Sequence, residues 1–64
     1  MANQYRCILF ENGRMAARMI IEADDDASAV LQAYKILEWT SCPSAELWDR
    51  GRRVSIISRK NSAA

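Results

Sequence analysis

The chain contains no histidine, and its 64 residues include only one proline, two glycines and two cysteines. Because histidine is absent, histidine general bases and Cys–His nucleophiles are excluded. Cys7 and Cys42 do not form a CxxC pair, so a zinc site would need carboxylates as its other ligands, which is rare. Gly13 and Gly51 stand singly and do not form a glycine-rich phosphate loop. We therefore expect no enzymatic activity, with no catalytic residue, no metal ligand and no cofactor.

Long apolar stretches and a strong net charge are also missing. No segment approaches the ~20 apolar residues that a transmembrane helix requires, and the first residues lack the apolar core of a signal peptide. We therefore expect a cytoplasmic protein with reduced cysteines and no membrane partner. The net charge of +1 gives no global electrostatic reason to bind nucleic acid. The basic residues from Arg50 onward are nevertheless uninterrupted by any acid.

One helix is predicted from the aspartates at 24–26 to about Thr40. The aspartate side chains can accept hydrogen bonds from the free N–H groups of a helix start, and their charge suits the helix dipole. Residues 27–39 contain no glycine or proline, and Pro43 disfavours helical geometry at the residue before it. Three aspartates also occur in calcium sites, but the glycine and glutamate of an EF-hand loop do not follow them. At ~100° per residue, the predicted buried stripe is Ala27, Val30, Ala33, Tyr34 and Leu37.

A hairpin is predicted before the helix, with strands at residues 5–11 and 14–23. Asn12-Gly13 favours a two-residue turn in which both residues have positive φ, so Glu11 would face Arg14. The more apolar face of this hairpin should lie under the helix; it carries Ile8, Phe10, Met15, Ala17, Met19 and Ile21. The other face would carry Tyr5, Cys7, Leu9, Arg14, Ala16, Arg18, Ile20 and Glu22. A three-residue loop with a bulge is the alternative, and it would shift the pairing by one residue and mix the two sets.

A second hairpin is predicted after the helix, with strands at residues 44–48 and 53–58. The four residues between them have turn composition, and Gly51 suits a positive φ. This loop pairs Leu47 with Val54 and Ala45 with Ile56 on the inner face. It also pairs Trp48 with Arg53 and Glu46 with Ser55 on the outer face, together with Ile57. Residues 59–64 are polar and small, and we expect a frayed tail.

The predicted fold is α+β, ββαββ: a four-stranded antiparallel sheet with one helix packed on one face. It forms a single domain over residues 1–64, with an ordered core from about residue 4 to 58. The strand order stays open, and one arrangement places the first and third strands in the middle. The predicted core consists of Ile8, Phe10, Met15, Ala17, Met19, Ile21, Val30, Tyr34, Leu37, Leu47, Val54 and Ile56.

The uncovered side of the sheet is the predicted interaction surface. Its predicted partner-binding residues are Tyr5, Leu9, Arg14, Arg18, Ile20, Trp48, Arg53 and Ile57. Exposed apolar residues fringed by arginine often mark binding surfaces, and Trp and Arg are enriched in binding hot spots. We favour self-association as a homodimer through the sheet face or edge. An unidentified protein partner and weak single-stranded nucleic-acid binding by aromatic stacking are the alternatives, and apolar residues without a common role are a third interpretation.

Several short segments occur in an order that resembles a known family. They are Tyr5-Arg6-Cys7, Gly13-Arg14, Ala23-Asp24-Asp25-Asp26-Ala27 with Ala29, and Glu46-Leu47-Trp48-Asp49 with Arg53-Val54. They are similar to a family of short hypothetical bacterial proteins, chiefly from alphaproteobacteria, over most of the chain. The family has no assigned activity, so the resemblance implies a compact ββαββ domain and no catalytic residues. The stretch from Asp24 to Ala33 is also similar to the small domain of HicB-type antitoxins, which implies an antitoxin-like accessory role.

Overall fold

A computed structural model describes residues 2–59, which form one helix and four strands. The strands pair antiparallel in the order β2-β1-β3-β4, and the helix packs on one side of the sheet. This confirms the predicted α+β ββαββ fold, and the strand order, which stayed open in the prediction, is the arrangement with the first and third strands in the middle. Of the predicted frayed tail at residues 59–64, Arg59 belongs to the described residues and residues 60–64 lie outside them. The elements are β1 Asn3–Glu11, β2 Arg14–Ala23, α1 Asp26–Trp39, β3 Ser44–Asp49 and β4 Arg52–Ser58.

Helix α1 begins and ends where local chemistry dictates. Asp25 is its N-cap, and its Oδ1 accepts a hydrogen bond of 2.8 Å from the backbone N–H of Ser28. At the other end Thr40 is the C-cap, and its backbone N–H donates to the carbonyl of Leu37. The guanidinium of Arg59 donates to the carbonyls of Leu37 and Thr40, so a cation covers the negative end of the helix dipole.

The buried stripe of the helix is rotated from the predicted one, and Ala33 and Leu37 belong to both. Its buried residues are Ala29, Ala33 and Leu37, whereas Ala27 is exposed and Tyr34 is 46% exposed. The prediction that Ala27 lies on the buried stripe and that Tyr34 belongs to the core was therefore wrong. Two alanines against the sheet allow the helix backbone to approach it closely, and a tyrosine at the same place would hold the two layers apart.

The first hairpin has the predicted turn followed by a bulge. Asn12 and Gly13 have φ of 55° and 76°, and Glu11 faces Arg14. The register then shifts, because Phe10 faces Met15 but Leu9 faces Ala17, so β2 has an extra residue at Ala16. Without the bulge, each later side chain of β2 would lie on the opposite face of the sheet, because a shift of one residue inverts the alternation.

The predicted inward face of β1 was wrong. Tyr5 and Leu9 are each 2% exposed and Cys7 is fully buried beneath the helix, whereas Ile8 and Phe10 are half-buried and lie on the other side. The Tyr5 hydroxyl donates a hydrogen bond of 2.8 Å to Asp26 Oδ1 in the first turn of the helix. This contact requires Tyr5 to point toward the helix, and Cys7 and Leu9 follow by alternation.

The second hairpin is also bulged. Asp49 faces Arg52 across a two-residue turn, and Trp48 faces Arg53 as predicted. The register then shifts at Val54, so that Ala45 faces Ile57 rather than Ile56. Ile57 is consequently 1% exposed and Ile56 is 57% exposed, the reverse of the prediction. The prediction of a positive φ at Gly51 was wrong as well, since that conformation is adopted by Arg50, with φ of 58°.

The core combines small residues with a few large ones. Ile21, Leu37 and Leu47 are buried as predicted, and Val30 and Val54 pack at the margin of the core. The remaining predicted core residues are wrong: Met15, Met19 and Ile56 are 57%, 44% and 57% exposed, and Ala17 is exposed on a part of β2 that the helix does not cover. The buried cluster is Tyr5, Cys7, Leu9, Ile21, Ala23, Ala29, Ala33, Leu37, Cys42, Ala45, Leu47 and Ile57.

Truncation of Leu37 should remove a large part of the stability of so small a domain. Leu37 is 1% exposed, so Leu37→Ala should lower the free energy of unfolding by about 2–5 kcal/mol. Leu31 is the matched control, because it is 64% exposed on the same helix and Leu31→Ala should change stability little. Urea unfolding followed by circular dichroism measures both, and equal effects of the two substitutions would contradict the placement of the helix.

Candidate interaction surface

The side of the sheet away from the helix, here called the open face, is uncovered in the part of the chain that the structure describes. Strand register arranges it in rows. One row runs Ile20, Arg6, Trp48, Arg53 across the four strands. The next row runs Arg18, Ile8, Glu46, Ile56. Met15 and Phe10 begin a third row, and Glu22 lies beyond Ile20 on β2.

Apolar side chains make up much of the open face. Ile20, Ile56 and Met15 are 60%, 57% and 57% exposed, and Ile8 and Phe10 lie half-buried between them. An antiparallel sheet with one covered face normally presents polar residues on its other face. The open face departs from that pattern, which is typical of a surface that binds a partner.

The charged residues of the open face surround its tryptophan. Trp48 lies between Arg6 and Arg53 in the same row, and its indole Nε1–H donates a 3.0 Å hydrogen bond to Glu46 Oε1. Trp48 thus has a fixed polar partner and keeps its ring on the surface of the sheet, in the manner of interface tryptophans.

The eight predicted partner-binding residues do not all reach this surface. Arg18, Ile20, Trp48 and Arg53 lie on the open face. Arg14 lies opposite Glu11 beside the first turn, one position past the Phe10–Met15 pair and therefore on the other side of the sheet. Tyr5, Leu9 and Ile57 are buried beneath the helix, so their predicted place on the uncovered side was wrong.

Sequence reasoning missed five residues of the open face: Arg6, Ile8, Phe10, Met15 and Ile56. A signal for the first three was present. Arg6 alternates with Ile8 and Phe10, and an arginine on that face indicates solvent, whereas Tyr5, Cys7 and Leu9 form an uncharged series. Ile56 had no such signal, since its exposure depends on the bulge at Val54.

The two edges of the sheet are β2 and β4. Edge strands present unpaired backbone N–H and C=O groups that can pair with another chain. The carbonyl of Glu22 accepts a 2.9 Å hydrogen bond from the Gln32 side chain of the helix. The remainder of β2 from Met15 to Ile20 is exposed along the strand. Arg18 and Ile20 lie on the open face and belong to the edge strand β2, so the open face and the β2 edge meet at these two residues.

A second polar cluster joins the sheet to the start of the helix. The Asp26 carboxylate accepts from the Tyr5 hydroxyl and lies 3.4 Å from the Arg52 guanidinium, which also pairs with Asp49 at 3.0 Å. The Tyr5 hydrogen bond, and then Arg52, lower the pKa of Asp26. The same hydrogen bond, and then burial, raise the pKa of Tyr5. Each group has a partner within the chain, so the cluster is structural and offers no unpaired acid or base.

The cysteines are both free and buried. Burial raises the pKa of the Cys7 thiol, which disfavours the nucleophilic thiolate. Among residues 2–59, no three cysteine, aspartate or glutamate side chains are grouped closely enough to hold a metal ion. No helix in this range is both long and apolar enough to cross a membrane.

Comparison with known proteins adds no relative: no protein-family model, curated protein or solved structure matches this chain.

The Asp26 cluster predicts how stability depends on pH. Because the pKa of Asp26 is lowered on folding, its contribution to stability is present above its unfolded-state value of 3.8 and is lost as pH falls through the lower folded-state value. Asp26→Asn should therefore be less stable than the wild type at pH 7, and the difference should shrink below pH 3.8.

Urea midpoints measured from neutral pH to about pH 2.5 test this prediction. Asp24→Asn is the control, since it removes the same charge from an exposed neighbouring residue and should have a smaller effect at pH 7. A difference between Asp26→Asn and the wild type that is the same at every pH would contradict the proposed role of the carboxylate.

Proposed function

We propose that this protein is a small non-enzymatic interaction module of the cytoplasm that associates with a second copy of itself through the uncovered part of its sheet. The observation that supports this proposal is the concentration of exposed apolar side chains where the open face meets the β2 edge. Ile20 is 60% exposed and Met19, on the other side of the same strand, is 44% exposed. A cytoplasmic location suits two cysteines that are both free thiols.

The distribution of large and small residues supports self-association. Half of the buried cluster consists of alanine and cysteine, whereas Met15, Ile20 and Ile56 lie on the open face. A chain of this length buries only about 60% of its unfolded surface and gains from oligomerisation. A second copy can remove the apolar area on the sheet surface from water.

Sedimentation equilibrium over a concentration series reaching about 100 µM tests the proposal. We expect a reversible monomer–dimer equilibrium. Ile20→Lys should weaken it, whereas Leu31→Lys should not, although Leu31 is equally exposed on the helix at 64%. A protein that stays monomeric throughout this range, or equal effects of the two lysine substitutions, would contradict the proposal.

Single-stranded nucleic acid is a second candidate partner, favoured by the position of Trp48 between Arg6 and Arg53. Aromatic rings stack on bases and arginines neutralise phosphates. The same sedimentation runs at low salt with a labelled oligonucleotide test this alternative, because a complex would dissociate as salt is raised. Trp48→Ala and Arg18→Glu should abolish such a complex, and Lys35→Glu on the helix should not.

A further inference from the structure

We infer that the second copy pairs antiparallel with the β2 edge, with a two-fold axis at Ile20, so that two four-stranded sheets become one continuous sheet. This inference rests on the proposed self-association and specifies its geometry. Three features carry it: the direction of the free backbone groups of β2, the order of charges along β2, and the contrast with β4.

The free backbone groups of β2 belong to alternate residues. In an antiparallel ladder, each residue directs both its N–H and its C=O to the same side, and successive residues direct them to opposite sides. The Glu22 carbonyl accepts a hydrogen bond from the Gln32 side chain of the helix, a partner outside the sheet, which indicates that Glu22 directs its groups to the free edge. Ile20 and Arg18 follow by alternation, since no register shift separates them from Glu22.

The order of charges along β2 is self-complementary about Ile20. With the axis at this residue, Ile20 faces Ile20 of the second copy, and Arg18 faces Glu22 of the second copy twice, once on each side of the axis. These three positions also have outward backbone groups, so their side-chain pairing and their hydrogen bonding occur in the same register. In the described chain the ion pairs within 4 Å are those of Arg52, so neither Arg18 nor Glu22 is neutralised within its own copy.

The opposite side of the same edge is compatible with this register. Met19 would face Ile21 of the second copy, which covers a side chain that is 44% exposed in one copy alone. Ala17 would face Ala23, and two alanines leave room beneath the joined strands. Gln32 need not leave, because a carbonyl oxygen has two lone pairs and Glu22 can accept from both Gln32 and the incoming N–H.

The β4 edge lacks this complementarity. Arg52–Ser58 contains two arginines and no acid. Antiparallel pairing of this edge with the same edge of a second copy would leave Arg52 and Arg53 without an acid of the partner strand to face, so no opposite-charge pair would form. Charged side chains that find no opposite charge on the partner strand disfavour edge pairing. The two edges of the sheet therefore differ, and β2 is the one that accepts a second copy.

Charge reversal with complementation tests the inference. Arg18→Glu places two glutamates opposite one another, and Glu22→Arg places two arginines opposite one another, so each variant alone should dimerise about tenfold more weakly or worse. An equimolar mixture of the two should restore association, because one copy then carries glutamate at both positions, the other carries arginine at both, and opposite charges meet on each side of the axis. Lys35→Glu is the matched control, because it reverses an exposed charge on the helix, and it should leave the dissociation constant of the wild type unchanged.

Sedimentation of each variant and of the mixture separates the outcomes. Weakened single variants with restored association in the mixture support the β2 register. A wild type that dimerises, combined with Arg18→Glu and Glu22→Arg variants that dimerise equally well or a mixture that restores nothing, overturns the register and leaves self-association standing. A wild type that is monomeric throughout overturns both. Circular dichroism shows that each variant is folded, which is expected because Arg18 and Glu22 are exposed.

Discussion

The hydrogen bond between the Tyr5 hydroxyl and Asp26 determines which side of the central strand faces the helix. Tyr5 is 2% exposed, and a buried hydroxyl requires a partner. Asp26 lies in the first turn of the helix and is also paired with Arg52 of β4. One carboxylate thereby joins a central strand, an edge strand and the helix. By alternation, Arg6 and Ile8 must then lie on the open face.

Two bulges complete the separation between core and open face. Each lies shortly after a two-residue turn, at Ala16 in the first hairpin and at Val54 in the second. Without the second bulge, Ile56 would be buried and Ile57 exposed. Without the first, Arg18 would lie on the helix side of β2. Bulges often re-aim side chains, and these two place Arg18 and Ile56 on the open face.

Local chemistry made the element boundaries predictable. Asn12-Gly13 specifies its turn without reference to the rest of the chain, and Asp25 with Pro43 limits the helix to within two residues of the prediction. It was harder to predict which face of the sheet each side chain lies on. Alanine and valine both occur in ordinary strands, so nothing in the sequence marks Ala16 and Val54 as bulges. Arg50 shows the same limit, since its positive φ occurs beside a glycine that was the better candidate.

The candidate surface was predictable in part, where its residues lie close to the second turn. Trp48 and Arg53 lie next to the second turn, before the bulge, so simple pairing placed them correctly. Tyr5 and Leu9 were misplaced because the inner face of the first hairpin was chosen by its number of apolar residues. The charge of Arg6, which marked the solvent side of β1, was given too little weight. Charge on a strand face is more informative than the total of apolar residues when the core is built largely from alanine and cysteine.

The orientation of β1 is tested most directly by the reactivity of the Cys7 thiol in a Cys42→Ala variant, in which Cys7 is the only cysteine. Cys7 is fully buried under the helix, so a soluble thiol reagent should label it slowly in native buffer and faster as urea opens the fold. Labelling in native buffer at the rate of an unfolded thiol would place Cys7 on the open face and contradict the account.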